Sequence, residues 1–246
     1  MSLLALCDQL GSRLFKIAEY TISVWSMVYV ALRSALNNSK QQNLKEMFKI
    51  TLTQVYFTGV QGLPLVGMLA LIAGTLTIIQ TSSQLSKVGG GAMLGNLLVV
   101  LIVRELGPLI TALVVVARSG TAVASELGTM KVNSEIEALE SMGIDPMSFI
   151  VFPRLVGGVI SILCLCLYFD VIALLGGYVI AQFVNPISFE FYTDSIIQAI
   201  SAADAGLFLI KNIFSGAMIF TISCYQGLLV KQSFTEVPKV TTRAVM

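Results

Sequence analysis

The chain has 246 residues, of which 56% are hydrophobic and only 12% charged, with a formal net charge of +1 and a mean hydropathy of +0.85. A soluble domain carries about 25% charged residues, so the composition is that of an integral membrane protein, and the near-zero net charge leaves no electrostatic footprint for nucleic acid. Histidine is absent, which excludes Ser-His-Asp and Cys-His catalysis and removes the commonest metal ligand.

Residues 3–36 are amphipathic. Leu10, Leu14, Ile17, Ile22, Trp25, Val28, Tyr29 and Leu32 form one broad helical stripe, with Arg13, Lys16, Glu19 and Arg33 elsewhere. Such a helix suits the membrane interface, with Tyr20, Trp25 and Tyr29 at headgroup depth; the competing reading is a weak transmembrane helix from Ile22 to Leu36. The start, Met1 to Cys7, has no basic region, too short an apolar stretch and Asp8 directly after it, so it does not read as a cleaved signal peptide. A polar linker over 37–49 precedes a first span from Leu52 to Ile79, dotted by Gly59, Gly62, Gly67 and Gly74, with Pro64 positioned to bend it. Ala70 and Gly74 make a small-xxx-small pair that permits close helix contact. Gly89-Gly90-Gly91 turns the chain into a second span, from Ala92 to Ala117, whose middle holds Arg104-Glu105-Leu106-Gly107-Pro108.

Residues 118–149 read as a loop carrying Glu126, Glu135, Glu137, Glu140 and Asp145. Within it the spacing predicts a short helix over about 134–142, with Asn133 or Ser134 as its cap and Glu137 completing a capping box. Ile136, Leu139 and Met142 give that helix one apolar edge, Gly143 suits its stop, and Asp145-Pro146 a turn. The third span, Phe149 to Phe183, is interrupted by Arg154 near its start and Asp170 in its middle; Gly157-Gly158 and Gly176-Gly177 mark close packing or bends. Residues 186–205 contain Glu190, Asp194 and Asp204 but no Lys or Arg. The fourth span, Leu207 to Val230, has Lys211 in its first turns, and a polar tail follows. Three of the four cysteines, Cys164, Cys166 and Cys224, lie in spans, where Cys behaves as a small hydrophobe; with Cys7 they suggest neither a disulfide nor a metal site.

The fold class expected is therefore all-α, with an interfacial helix and four transmembrane helices in one domain. Basic residues cluster before the first span, around 118–149 and after the fourth span, which places those segments in the cytoplasm and the loops 81–91 and 186–205 outside.

Arg104 and Glu105 stand about 100° apart on a helix and cannot satisfy each other, so each needs another partner, water or a helix break. Pro108 has no N–H to give the Arg104 carbonyl. A polar spot beside an apolar wall suits an amphiphile with a charged head and greasy tails; the structural alternative is an ion pair with another span, such as Glu105 with Lys211. Lys211 itself is placed to snorkel to the headgroups. Asp170 is either held neutral or paired with a cation. No phosphate-binding loop occurs in the chain, so ATP, if it drives the protein, binds on another subunit.

Arg104-Glu105-Leu106-Gly107-Pro108, then Ala117-Arg118-Ser119-Gly120-Thr121-Ala122-Val123-Ala124-Ser125-Glu126-Leu127-Gly128-Thr129-Met130, then Glu135-Ile136-Glu137-Ala138-Leu139-Glu140-Ser141-Met142-Gly143-Ile144-Asp145-Pro146 and Pro153-Arg154 closely resemble the MlaE/YrbE permease family, the membrane subunits of MCE-type ABC transporters. The resemblance is dense over about residues 100–155 and looser elsewhere. It implies a homodimeric permease of the inner membrane that moves phospholipids or similar lipids between the inner and outer membranes. The implied partners are a cytoplasmic MlaF-like ATPase that binds ATP and Mg, a periplasmic MlaD-like ring of MCE domains, and an MlaB-like STAS protein. No cofactor is implied for this chain itself, and no covalent chemistry.

By the same resemblance Arg104, Glu105 and Lys211 belong to the lipid pocket. The segment containing Glu126, Glu135, Ile136, Glu137, Leu139, Met142 and Asp145 is the coupling loop that seats on the ATPase. Family members continue past the Thr241 to Met246 region into a fifth transmembrane helix, which is missing from the sequence read here: either the sequence is truncated or this member lacks that span. Two other functions compete: a secondary transporter driven by a proton or sodium gradient through Asp170 and Glu105, and a non-transporting membrane scaffold.

Overall fold

The computed structural model describes residues 19–34, 44–88, 94–183, 186, 188–230, 233, 238 and 241–242. Among them every regular element is helical and four helical segments are long and apolar enough to cross a membrane. In chain order they are α1 (residues 19–34), α2 (Leu44–Thr58), α3 (Leu63–Val88), α4 (Leu94–Val132), α5 (Glu135–Ser141), α6 (Met147–Ala181), α7 (Phe189–Ala199) and α8 (Ala202–Leu228). The protein is an all-α membrane protein. Residues 1–18, 35–43 and 89–93 lie outside the described residues, and with them Leu10, Leu14 and Ile17 of the expected stripe and the turn expected at Gly89-Gly90-Gly91.

The first span is two helices. The chain leaves α2 at Gly59, makes a tight turn over Val60–Gly62 and resumes as α3 with Pro64 in its first turn, where a missing N–H costs nothing. The carbonyl of Phe57, at this junction, accepts from Arg118 Nη1 at 3.1 Å. The same guanidinium donates to Gln61 Oε1 at 2.8 Å and lies over the Phe57 ring, 5.2 Å from its centre. Arg118, read from sequence as a residue flanking a loop, is thus a clamp across the helix junction.

α4 and α6 overrun the bilayer. At 1.5 Å per residue they are about 58 and 52 Å long, against a hydrocarbon core of about 30 Å. The expected loop over 118–149 is mostly helix as a result: α4 continues to Val132, and only a two-residue turn separates it from α5. The polar residues that suggested a loop fold their hydroxyls onto the helix itself. Thr121 Oγ1 donates to the carbonyls of Ala117 and Arg118, and Thr129 Oγ1 to that of Ser125.

α6 lies at the centre, with α2 and α3 along one flank and α4 and α8 along the other. Its core residues Ile162, Leu165, Cys166 and Phe169 are almost wholly buried, together with Phe220 of α8 and Ile102 of α4. Glycine sets the tightest approach. A methyl added at Gly74 would lie 2.1 Å from the Ala173 carbonyl oxygen, and one at Gly177 would lie 2.7 Å from the backbone of Gly74, so α3 and α6 interlock through glycine on both sides. In α1, Met27 and Ala31 face the bundle, whereas Ile22, Trp25, Tyr29 and Leu32 of the expected stripe are exposed. Tyr20 receives a hydrogen bond from Gln226 Nε2 at 3.0 Å and packs edge-on against Tyr225.

Candidate functional site

The second half of the sequence motif, Gly107-Pro108, does not break α4. It widens the helix instead. Over Val99–Leu106 the hydrogen bonds skip one residue further than in an α-helix, and the Gly107 N–H donates to the Ile102 carbonyl. Such widened turns insert a residue and redirect side chains, often at functional sites. Pro108 cannot donate to the Arg104 carbonyl, and a lysine from another helix does so: Lys211 Nζ donates to Arg104 O at 2.6 Å and to Glu105 Oε1 at 2.9 Å. Lys211 therefore does not snorkel away; it stays inside as a cap for a backbone gap created by proline.

Arg104 and Glu105 diverge. Arg104 Nε pairs with Asp204 Oδ1 at 2.6 Å. Helical side chains lean toward their own N-terminus, so Arg104 leans back along α4 to the start of α8, where Asp204 sits. Asp204 also accepts from the backbone N–H of Ser201 at 2.9 Å and from its hydroxyl at 3.0 Å, closing a capping box. One carboxylate thus starts α8 and holds the arginine. Sequence reading missed it because an acid just before a span looks like loop surface; the Ser201-x-x-Asp204 spacing was the available signal.

The network is open on one side. Asp204 is only 4% exposed, but Arg104, Lys211 and Glu105 retain 36%, 39% and 64% of their side-chain exposure. Their surroundings are apolar and equally open. Leu101 and Leu109 lie one turn either side of Glu105, and Leu207, Ile210 and Phe214 surround Lys211 on α8, all exposed. Three charges thus sit within a wall of uncovered Leu, Ile and Phe.

Asp170 is elsewhere. It is buried on α6, and a methyl added at Gly107 would come within 2.3 Å of its Oδ1, so it lies against the inner face of the widened turn. Glu105 is exposed and engaged with Lys211, so the two acids are not brought together as a relay.

The other end of α4 carries a second set of charges. Arg154, on α6, is nearly buried and its Nη2 pairs at 2.8 Å with Glu126 Oε1 of α4, which is 60% exposed. α5 follows, but not with the expected cap. Ser134 adopts a left-handed φ of 57° and accepts no capping bond from the helix. The turn is held by side chains instead: Asn133 Nδ2 donates to Glu135 Oε1 at 3.1 Å, and Lys131 Nζ to Glu137 Oε1 at 3.0 Å. That hydrogen bond from Lys131 holds the Glu137 carboxyl below the usual carboxylate range. Beyond α5, Gly143 takes φ 75°, donating to Glu140 O while Ile144 N–H reaches Leu139 O, a Schellman stop.

The seven residues assigned to coupling separate into three groups. Glu126, Glu135, Leu139 and Met142 line one cavity of about 890 Å³, together with Lys49 and Phe57 of α2 and Arg154. Glu137 is exposed on α5, outside that cavity, while Ile136 is buried beneath the helix and seats it. Asp145 is half-buried; its carboxylate receives the Met147 N–H at 3.2 Å and the Ser34 hydroxyl, tying α1 to the start of α6. Among the described residues no group of His, Cys, Asp or Glu is arranged to hold a metal ion.

Comparison with known proteins identifies this architecture. A family model described as "Permease MlaE" matches residues 51–246. The chain is 28% identical over 244 residues to a "Probable ABC transporter permease protein" of Rickettsia bellii, covering 99% of this chain and 92% of the relative. It is 27% identical over 204 residues to the "Intermembrane phospholipid transport system permease protein MlaE" of Haemophilus influenzae, covering 82% of this chain and 78% of the relative. It is 30% identical over 196 residues to the "Protein TRIGALACTOSYLDIACYLGLYCEROL 1, chloroplastic" of Arabidopsis thaliana, covering 80% and 56%. A multi-pass helical bundle matched by that model over most of its length belongs to the MlaE permease family.

Proposed function

We propose that this protein is the permease subunit of an ABC transporter that moves phospholipids or closely related lipids between the inner and outer membranes. The observation that carries the reading is the open network of Arg104, Glu105 and Lys211 set in an uncovered apolar wall. A lipid presents a charged head and long apolar tails, and this surface offers a partner for each. Arg104 supplies a planar donor suited to a phosphate, Lys211 a point charge, and Glu105 an acceptor for an amine or hydroxyl on the headgroup. Support for the substrate class comes from the phospholipid named in the Haemophilus relative's description.

The chain performs no covalent step. A separate MlaF-like ATPase binds ATP and Mg, and the permease works as a homodimer in the inner membrane with its N-terminus in the cytoplasm. The α5 end is then the cytoplasmic end, where the exposed acids of α5 and the adjoining cavity receive the ATPase. The opposite end meets an MlaD-like MCE ring, and an MlaB-like STAS protein completes the assembly. ATP binding and hydrolysis rock the two permease copies, opening and closing a lipid pocket between them. α4 is continuous from the charge network to α5, so a push at α5 reaches the headgroup site along one rigid element.

The test is lipid transfer between donor and acceptor vesicles by the reconstituted complex. Arg104→Glu is expected to abolish ATP-dependent transfer while leaving assembly with the ATPase intact. Undiminished transfer by this variant removes the headgroup role. Transfer that needs an ion gradient and no bound ATPase replaces the reading with a secondary transporter.

A further inference from the structure

The open network is neutral as a whole but keeps bonding capacity of both signs. Arg104 pairs with Asp204 at 2.6 Å and Lys211 with Glu105 at 2.9 Å, so two cations face two carboxylates. Arg104 uses Nε for its pair, and its two terminal nitrogens bond to no other residue among those described. Lys211 spends two of its three N–H donors, one on the Arg104 carbonyl and one on Glu105 Oε1. Glu105 receives that bond on one oxygen only, and Oε2 has no partner among the described residues.

The four groups are unequally placed. Asp204 is almost wholly buried and already bonded to Ser201, so its charge serves Arg104 and no ligand. Glu105 is the most exposed of the four. Lys211 is tied both to the backbone of Arg104 and to the side chain of Glu105, so the free donors and the free carboxylate oxygen flank one side chain. A headgroup that reaches Arg104 and Lys211 therefore enters the field of Glu105.

That field discriminates among headgroups. A phosphate takes the Arg104 fork and the third Lys211 donor. Alone, it leaves an uncompensated negative charge beside Glu105 in an apolar wall, where like charges repel more strongly than in water. The hydroxyls of a glycerol headgroup can bond to Oε2 but bring no positive charge. A quaternary ammonium brings charge but no N–H. A primary ammonium brings both.

We propose that Glu105 makes the site select lipids whose phosphate carries a primary ammonium, as in a phosphoethanolamine headgroup, over lipids with an anionic headgroup. The inference rests on the lipid-permease reading above and adds to it a preference set by one side chain.

The test measures ATP-dependent transfer by the reconstituted complex, with phosphatidylethanolamine, phosphatidylcholine and phosphatidylglycerol of identical acyl chains competing in the donor vesicles. Wild type is expected to move the ethanolamine lipid about tenfold faster than the glycerol lipid, the order of one hydrogen bond to a charged group, with the choline lipid between them. Glu105→Gln keeps the shape and an acceptor oxygen but not the charge, and is expected to bring the ethanolamine and glycerol lipids close to equal. Capture of the same three lipids by the detergent-purified complex, read by mass spectrometry, reports the preference if the variant transfers nothing. Equal handling of the three lipids by wild type, or a preference that survives Glu105→Gln, overturns the proposal and leaves the permease reading standing. A choline lipid that matches the ethanolamine lipid overturns the choice of a primary amine. No ATP-dependent transfer of any lipid by wild type removes the permease reading itself, and the preference with it.

Discussion

The two ends of α4 both carry ion pairs, but they are built in opposite senses. Near Arg104 the arginine and lysine stay partly open, and the buried member is the acid Asp204, which is also bonded to Ser201. Near α5 the buried member is the cation, Arg154, and its acid Glu126 is exposed. A cation that remains accessible is available to a ligand; a cation sunk between helices and held by one exposed acid is a fastening. Under the proposed function, the contrast fits recognition at one of these places and mechanical attachment at the other.

The largest effect is expected where a buried charge loses its partner. Glu126→Ala leaves Arg154 buried and uncompensated, which should cost about 3 kcal/mol, read as a fall in Tm of the purified chain. Arg154→Met should cost less, because the exposed Glu126 regains water. If the two variants lose equal stability, the asymmetry drawn between the ends is wrong.

Next is Lys211→Met, which strands the Arg104 carbonyl and frees Glu105. A stability loss of about 1–2 kcal/mol is expected, with lipid transfer abolished and ATPase binding retained. Retained transfer would reduce Lys211 to a cap. A smaller effect is expected for Asp204→Asn, which keeps a capping oxygen for α8 but loses the charge that holds Arg104. Stability should change by about 1 kcal/mol or less, whereas lipid capture should weaken because the guanidinium is no longer oriented.

The smallest effect is Lys131→Gln, at a surface pair. Glu137 titrates below the usual carboxylate range in the folded protein, so its contribution is present above the ordinary carboxylate value and is lost as pH falls through the lowered one. In the variant Glu137 should titrate closer to the ordinary range, visible by NMR of the labelled carboxylate; an unmoved titration rules out Lys131 as the cause.

Much of the open network was legible because it follows from local covalent facts. Proline lacks an N–H, so the Arg104 carbonyl needed a donor, and neighbours on a helix diverge, so Arg104 and Glu105 needed separate partners. Glu105 with Lys211 was among the pairings named in advance. Asp204 was not, because its role depends on how α8 begins beside α4, a tertiary fact. The expected capping box at Ser134 failed because Ser134 sits in a two-residue turn between helices and takes φ of 57° there, where the cap needs extended backbone. The loop expected over 118–149 failed because hydroxyl residues in α4 bond to their own helix, so polarity there did not signal an end to it.

The most direct test of the central claim is photocrosslinking of a phospholipid, with its reactive group at the headgroup, to the assembled transporter. Cysteine-free chains carrying the crosslinking residue at Leu109 or at Met142 place the probe beside the charge network or beside the cavity at α5. Strong labelling at Leu109 that falls at least tenfold with Arg104→Glu, and little labelling at Met142, is the predicted result. Labelling at Leu109 that is unaffected by Arg104→Glu, or equal at the two positions, would contradict it.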